Sequence, residues 1–215
     1  MPKSLSPQAL AEPHATGFRF PVPALAADEA RSYRQRLEAF IEENGGSTGA
    51  RKLLFEKAHL RCPPLAELVR HPKILDAVED VLGPDILCWA STIFLKEPQD
   101  KAYVSWHQDA MYWGLDPADV VTAWVALTDS LPENGAMQVL PESHLGALFR
   151  HNETFAADNM LSRGQEIAVE VDPRKVVTLS LRAGEMSLHH IKLAHGSDAN
   201  KSMNRRIGYA IRYVA

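Results

Sequence analysis

A histidine and an aspartate stand two positions apart inside the aromatic stretch SWHQDAMYWG, residues 105–114. Alternate side chains of an extended strand share a face, so His107 and Asp109 can point at one atom while Gln108 points away. Imidazole and carboxylate groups are both common metal ligands. The pair is therefore either part of a metal site or an ordinary hydrogen bond at the end of a strand.

A second histidine supports the interpretation as a metal site. In LAHGSDANKSMNRRIGYAIRY, His195 follows an apolar strand and precedes a turn-rich loop, and a final strand begins near Arg205. Two imidazoles and one carboxylate with open coordination positions form the facial triad typical of non-haem Fe(II) oxygenases. We therefore expect His107, Asp109 and His195 to be the catalytic metal ligands.

Such an iron site needs an electron-donating cosubstrate to activate O₂, and the usual one is 2-oxoglutarate. Its keto acid end chelates the metal, and its distant carboxylate pairs with the planar fork of an arginine. Chain reversal before the last strand would bring Arg206 back beside the His195 region. Arg206 shares one strand face with Gly208 and Ala210, whose small side chains are expected to leave room for a ligand. The alternative is a surface arginine on an edge strand.

The elements that must position these residues fall into two parts. DEARSYRQRLEAFIEENGG and HPKILDAVEDVLGP, in the first third of the chain, carry apolar residues at helical spacing and end in glycine. From residue 85 onward, short runs rich in β-branched and aromatic residues alternate with turn signals. The runs are ILCWASTIFL, AYVSWHQ, VVTAWVAL, AMQVL, VVTLSL, MSLHHI and RIGYAIRYV.

This pattern predicts a mainly β protein with flanking α-helices, its antiparallel sheets closed into a sandwich or jelly roll. We expect one domain over 1–215, with a helical part at about 1–84 and a jelly-roll core at about 85–215. The segment from about 144 to 170 is less regular. It is expected to be a long insertion that carries binding residues or a lid.

Composition limits the classes of partner. The chain has 215 residues, 46% of them hydrophobic, and a formal net charge of −4, with no basic cluster for nucleic acid or an anionic membrane. A small-molecule substrate is expected, and the protein is expected to be a monomer or homodimer.

Only Cys62 and Cys88 are present, both predicted to be buried, inert thiols of a reducing compartment. No secretory or membrane-spanning stretch is evident, which predicts a cytoplasmic protein.

Taken together, the motifs resemble the phytanoyl-CoA dioxygenase family of Fe(II)/2-oxoglutarate oxygenases. The resemblance covers about 120 residues, and the eleven-residue spacing from His195 to Arg206 is also the one that family uses. The fold it implies is the double-stranded β-helix, a cupin-like jelly roll. The motifs that carry it are, in order, IFLKEPQD, WHQD, TAWVAL, ENGAMQVLPESHLG, LHHIKLAHGSDANKS and RRIGYAIRY.

The resemblance implies roles for individual positions. His107, Asp109 and His195 match the iron ligands, whereas Arg206 and Ser197 match the pair that binds the far carboxylate of 2-oxoglutarate. Two further cofactor-binding positions are implied. Trp124 matches a residue packed near the cosubstrate, although a strand tryptophan is also a common core residue, and Thr92 aligns more loosely with another residue near it.

Other polar and aromatic residues are weaker candidates. His144 is expected to hold loop backbone, and His190 to line the pocket, support the ligands or simply pack in a strand. His189 is expected to face the other way and to compete poorly as a ligand. Residues that could shape a substrate pocket, or could equally be ordinary core or surface residues, are Tyr103, Tyr112, Trp113, Arg150, His151 and Arg163.

The implied activity is hydroxylation of a C–H bond in a small metabolite, with Fe(II), 2-oxoglutarate and O₂ and with release of succinate and CO₂. Asp109 disfavours halogenation, because related halogenases lack the carboxylate ligand. The alternatives are a non-catalytic metal-binding jelly roll, against which Arg206 and Ser197 argue, and the same chemistry on an acyl-CoA. A metal hydrolase would not explain the arginine spacing. Relatives commonly continue beyond the last strand, so a C-terminal segment that closes the pocket is expected to be missing after RYVA.

Overall fold

The structure is a computed structural model that describes residues 3–115 and 119–215. Helices and strands alternate irregularly in the first part of the chain, and strands dominate afterwards. The helices are α1 (Pro7–Thr16), α2 (Ala27–Glu43), α3 (Gly46–Leu53), α4 (Pro63–Leu68), α5 (Pro72–Leu82) and α6 (Ala110–Trp113). The strands are β1 (Phe18–Pro23), β2 (Leu87–Lys96), β3 (Val104–His107), β4 (Val120–Ala126), β5 (Met137–Val139), β6 (His151–Glu153), β7 (Gln165–Ile167), β8 (Val177–Thr178), β9 (Glu185–His190), β10 (His195–Ser197) and β11 (Arg206–Val214).

Two antiparallel sheets form the frame of the molecule. One has five strands in the order β1-β9-β4-β11-β2, and the other has four in the order β3-β10-β5-β8. Apolar residues of both sheets, including Trp124 from the first and Val139 from the second, pack in one buried cluster between them. The predicted arrangement of antiparallel sheets in a jelly roll is therefore confirmed.

The last strand shows how one sequence pattern serves two layers. Its residues Ile207, Tyr209, Ile211 and Tyr213 face the helices and belong to the main hydrophobic core. The hydroxyl of Tyr213 donates to the carbonyl of Val69, at the end of α4, at 2.8 Å. Because side chains alternate along a strand, the remaining face of β11 points into the space between the sheets.

The two helices predicted from apolar spacing are present as α2 and α5. Leu37 and Ile41 of α2 are fully buried, as is Ile74 of α5, and all three join the core beneath the five-stranded sheet. Gly83 follows α5 with a φ of 93°, a conformation that glycine adopts without strain. These helices cover the outer face of the sheet.

Strand β1 is an element that the sequence pattern did not predict. Its sequence, FRFPVP, contains two prolines, and proline cannot donate a hydrogen bond to a β-ladder. Strand β1 lies at the sheet edge beside β9, where one side of the strand needs no partner. The N-terminal part of the chain thus adds a strand to the sheet as well as helices over it.

The segment expected to be an insertion contains the small hairpin of β6 and β7. It is tied to the start of the second sheet, where the Ser105 hydroxyl donates to the carbonyl of Gln165.

Cys62 is buried as predicted, whereas Cys88, on the edge strand β2, is only partly buried; both are free. In the described residues, no helix has the length and apolar character needed to span a membrane.

Candidate metal and cosubstrate site

His107, Asp109 and His195 come together between the sheets. His107 ends β3 and lies opposite His195, the first residue of the neighbouring antiparallel strand β10. One ligand atom from each of the three residues lies within 4.8 Å of the other two, and all three side chains are buried. The three residues singled out by type and spacing thus form one compact cluster.

The route by which Asp109 reaches His107 differs from the expectation of a shared strand face. Strand β3 ends at His107, and Asp109 has helical dihedral angles, φ −56° and ψ −38°, at the start of α6. This turn brings Oδ1 of Asp109 to 3.3 Å from Nε2 of His107. Gln108 does point away, donating to the carbonyl of Lys192 at 2.7 Å.

Backbone carbonyls fix the orientation of both imidazoles. Nδ1 of His107 lies 2.9 Å from the carbonyl of Ser105, and Nδ1 of His195 lies 2.9 Å from that of Leu193. A carbonyl can only accept, so each Nδ1 carries the hydrogen and each Nε2 keeps its lone pair. Metal-binding histidines are commonly oriented by this kind of contact.

The protonation states also suit a divalent cation. Burial, followed by the influence of His107, lowers the pKa of His195 to about 4, so the ring is neutral at neutral pH. Burial alone would raise the pKa of Asp109, but the neighbouring His107, His195 and Arg212 bring it below its usual value. Two imidazoles and one carboxylate match the donor set of a non-haem Fe(II) centre.

The guanidinium of Arg206 is a second feature that indicates a bound ligand. Its side chain is 2% exposed, and in the described residues its Nε and Nη2 have no hydrogen-bond partner. Burial lowers the pKa of this guanidinium to about 10, which still leaves it charged. Because buried charges are normally paired, an unpaired buried guanidinium indicates a site for an anion.

Lys96 is a functional candidate that sequence reasoning missed. It lies directly opposite Arg206 in the β2–β11 pairing, and its Nζ donates to Oγ of Ser197 at 2.7 Å. The residue is fully buried, and burial, followed by the charge of Arg206, lowers its pKa to about 6. The available signal was a lysine inside the apolar run IFLKEP, at an inward-facing strand position.

Two adjoining cavities meet at the cluster, and His107, Asp109 and Arg212 line both of them. The smaller cavity, about 490 Å³ including its opening, also contains Arg206 and Ser197. The larger one occupies about 1230 Å³ including its opening to solvent. Of the predicted pocket candidates, Tyr112, Trp113 and Arg163 line the larger cavity. Trp89, which contacts Trp113, lines it as well.

Gly208 does not leave room for a ligand, which corrects an expectation. A Cβ atom at this position would collide with the indole of Trp124, on the neighbouring strand β4. The glycine therefore accommodates the tryptophan, whose ring lies 5.4 Å from Cζ of Arg206. Trp124 and Ala210 both line the smaller cavity, so the space for a ligand lies beyond the indole.

Thr92 lines the larger cavity and not the one that contains Arg206. Its hydroxyl donates to the carbonyl of Phe55 at 2.8 Å and accepts a hydrogen bond from Nη1 of Arg212 at 2.6 Å. The contacts of Thr92 therefore connect it to the second arginine of β11.

The two histidines of β9 face opposite ways, but not as expected. His189 lies opposite Thr122 on the inner face, and its ring is 4.8 Å from that of His195. His190 points outward and contacts the ring of His144 at 5.4 Å. His189 is thus the residue that supports the cluster, because the pairing of β9 with β4 sets which face is inner.

The remaining candidates divide between the cavity and the loops around it. Nε2 of His144 lies 3.1 Å from the carbonyl of His14, a loop-holding contact as predicted. His151 accepts from the backbone N–H of Gln108 at 3.0 Å and so supports the turn beside Asp109. Tyr103 and Arg150 are not among the residues that line either cavity.

Comparison with known proteins gives consistent matches. The family model "Phytanoyl-CoA dioxygenase (PhyH)" matches residues 14–208. A protein of Stutzerimonas stutzeri named "Probable alpha-ketoglutarate-dependent hypophosphite dioxygenase" is 36% identical over 179 residues, 80% of this chain and 61% of that protein. L-proline trans-4-hydroxylase of Streptomyces griseoviridis is 29% identical over 218 residues, covering 90% of this chain and 81% of the hydroxylase.

Among solved structures, the apo form of the non-heme monooxygenase ThoJ matches with a TM-score of 0.85 and 35% identity. The match covers 96% of this chain and 77% of that one. The chain thus spans about three fifths of the hypophosphite relative and about three quarters of ThoJ. Since the family model covers nearly all of the sequence, from the N-terminal helix α1 to β11, the chain belongs to the phytanoyl-CoA dioxygenase family.

Proposed function

We propose that the protein is an Fe(II)- and 2-oxoglutarate-dependent dioxygenase that hydroxylates a C–H bond of a small metabolite, releasing succinate and CO₂. The observation that carries the proposal is the unpaired, buried Arg206 in the same cavity as His107, Asp109 and His195. A metal-storage site needs no such arginine. A cosubstrate that chelates a metal at one end and presents a carboxylate at the other needs both features.

His107, Asp109 and His195 would hold the metal through Nε2, a carboxylate oxygen and Nε2. When bound together, Fe(II) and 2-oxoglutarate supply the activation of O₂ that allows hydrogen to be removed from an unreactive carbon. The protein's share is to keep His195 neutral and Asp109 ionised, which the burial of His195 and the neighbours of Asp109 already do. Asp109 occupies the position that a halide would need, so the proposed outcome is hydroxylation.

The far carboxylate of the cosubstrate would bind at Arg206, Ser197 and Lys96. Ser197 accepts the hydrogen bond from Nζ of Lys96, which leaves its own hydroxyl hydrogen free to donate to a carboxylate. An arriving anion favours the charged form of Lys96 and so adds a second cation to that of Arg206. The indole of Trp124 lines the same cavity and would pack against the cosubstrate.

The named relatives support a small substrate. The two relatives described above are named for reactions on hypophosphite and L-proline, which are both small molecules. We also propose a cytoplasmic location, which the two free cysteines support.

The test is spectroscopic and calorimetric, and it does not require the substrate. We expect one Fe(II) per chain and, without O₂, a visible charge-transfer absorption when 2-oxoglutarate is added to the iron form. Succinate in place of 2-oxoglutarate is the control, because it lacks the chelating keto acid. Binding of 2-oxoglutarate that is equally tight without any divalent metal would contradict the proposal.

A further inference from the structure

A second buried arginine lies six residues after Arg206 on the same inward face of β11. Arg212 is 8% exposed, and its only side-chain hydrogen bond in the described residues runs from Nη1 to Oγ1 of Thr92. Its Nε has no hydrogen-bond partner there, and its guanidinium makes no ion pair with a described carboxylate. Like Arg206, it is a buried cation without a carboxylate partner among residues 3–115 and 119–215, and such a cation suits an anionic ligand.

The surroundings of Arg212 differ from those of Arg206. Its Cζ lies 5.3 Å from the ring of Trp113 and 6.0 Å from that of Phe94, so aromatic faces flank the guanidinium. Trp113 in turn contacts Trp89 at 4.9 Å between ring centroids, and both line the larger cavity. The arginine therefore lies beside an aromatic wall of the larger cavity, and it is one of the residues that line this cavity.

The other cationic side chains of the larger cavity are less suited to hold an anion. Arg163 is about half exposed and already pairs with Glu153 at 2.8 Å. Lys57 is exposed to solvent. Asp109, which is close enough to influence the pKa of Arg212, would give most of its charge to a bound metal. Among the described residues of this cavity, Arg212 is therefore the buried cationic side chain that has no carboxylate partner.

We propose that Arg212 binds the acidic group of the substrate, so that the substrate is an organic anion, a carboxylate or a phosphonate, with an apolar part against Trp89 and Trp113. The inference rests on the proposed function and specifies its substrate class. Arg212 lines the cavity together with His107 and Asp109, so the oxidised carbon lies within a few bonds of the acidic group.

The experiment uses the full chain loaded with Ni(II), which does not turn over, and saturated with 2-oxoglutarate so that Arg206 is occupied. Phenylacetate and phenylphosphonate are titrated against neutral phenylacetamide, with tryptophan fluorescence and calorimetry as readouts. Wild type is expected to bind the anions about tenfold or more tightly than the amide. Arg212→Gln is expected to weaken the anions by about ten- to a hundredfold and to leave the amide unchanged, since one charge-assisted interaction is lost.

Arg163→Gln is the matched control, because it removes an exposed and already paired arginine from the same cavity. It is expected to change anion binding by less than about threefold, as for a surface charge. If thermal unfolding shows that Arg212→Gln does not fold, Arg212→Lys replaces it. This variant is expected to retain part of the preference for the anionic probes over the amide.

Three results would overturn the inference. Wild type could show no preference for the anions, or Arg212→Gln could bind them as tightly as wild type does. Alternatively, Arg212→Gln could weaken 2-oxoglutarate and not the probes, which would assign Arg212 to the cosubstrate. Failure of wild type to bind 2-oxoglutarate in the presence of metal is a different outcome, because it contradicts the proposed function itself.

Discussion

The two arginines on the inner face of β11 occupy opposite kinds of environment. Arg206 lies in the smaller cavity, where Lys96 and Ser197 concentrate polar groups around it. Arg212 lines both cavities and lies between aromatic rings, and its side-chain hydrogen bond in the described residues goes to one threonine hydroxyl. Neither guanidinium has a carboxylate partner in the described residues, so both are ready to bind an anion.

This difference indicates how one strand can serve two ligands. The Arg206 end is the smaller cavity and provides several donors to one carboxylate, which suits a cosubstrate of fixed length. The Arg212 end is roomier and provides one cation beside an apolar wall, which suits a substrate whose body can vary. The metal cluster lies where the two cavities meet, so each ligand is presented to it from its own side.

The largest expected effect comes from removing the centre that both cavities share. His195→Ala or His107→Ala leaves two ligands of three, and we expect tight Fe(II) binding to be lost, by more than about a hundredfold. Metal content by elemental analysis and calorimetric titration measure this. His190→Ala is the control, because His190 points away from the cluster toward His144. Unchanged metal binding in both ligand variants would remove the triad assignment.

Lys96→Met tests whether the polar groups around Arg206 favour ligand binding at the expense of stability. We expect 2-oxoglutarate to bind about tenfold more weakly, since a charge-assisted donor is lost. The metal-free fold should be more stable by about 1 to 4 kcal/mol near neutral pH, because an amine that must give up its proton to be buried is replaced by an apolar side chain. Chemical denaturation and calorimetry report the two quantities separately.

The pH dependence of that stability has a definite sign. With a pKa of about 6 in the folded state against an ordinary value near 10.5, Lys96 binds fewer protons when folded over this interval. The wild-type free energy of unfolding therefore rises with pH between about 6 and 10.5 on account of this residue. The advantage of Lys96→Met should be greatest near pH 6 and shrink toward pH 10. An advantage that does not vary with pH would contradict the account.

The smallest effect is expected at the hydroxyl that supports Arg212. Thr92→Val keeps the side-chain shape but removes the hydrogen bonds with Arg212 and with the carbonyl of Phe55. We expect anionic probes to bind about three- to tenfold more weakly, near 1 kcal/mol, with little change in 2-oxoglutarate affinity. Ser197→Ala is the matched change at the other end and should show the reverse pattern. A loss of 2-oxoglutarate affinity in Thr92→Val would place Thr92 with the cosubstrate instead.

The features that follow from periodicity were predictable from the sequence. Alternation along β11 was sufficient to put Arg206 on one face with Gly208 and Ala210, and apolar spacing was sufficient for α2 and α5. The approach of His195 to His107 followed from residue types and from the family motifs. Each of these depends on a local pattern that one strand or helix carries by itself.

The features that were missed depend on neighbouring strands. Which of His189 and His190 faces inward is set by the register of β9 against β4. The role of Gly208 depends on the indole of Trp124 across the sheet, and the importance of Lys96 on its position opposite Arg206. The turn at Asp109 depends on where β3 stops, which an alternating pattern does not specify.

The most direct measurement is a calorimetric titration of 2-oxoglutarate into the anaerobic, metal-loaded protein and into two variants, Arg206→Lys and Arg212→Lys. Both substitutions keep the charge and lose the planar fork, so they differ only in which end of β11 they alter. We predict that Arg206→Lys weakens binding by about 1.5 to 3 kcal/mol, that Arg212→Lys leaves the affinity within about twofold of wild type, and that both bind metal normally. Equal 2-oxoglutarate affinities in wild type and Arg206→Lys would contradict the assignment of the smaller cavity to the cosubstrate.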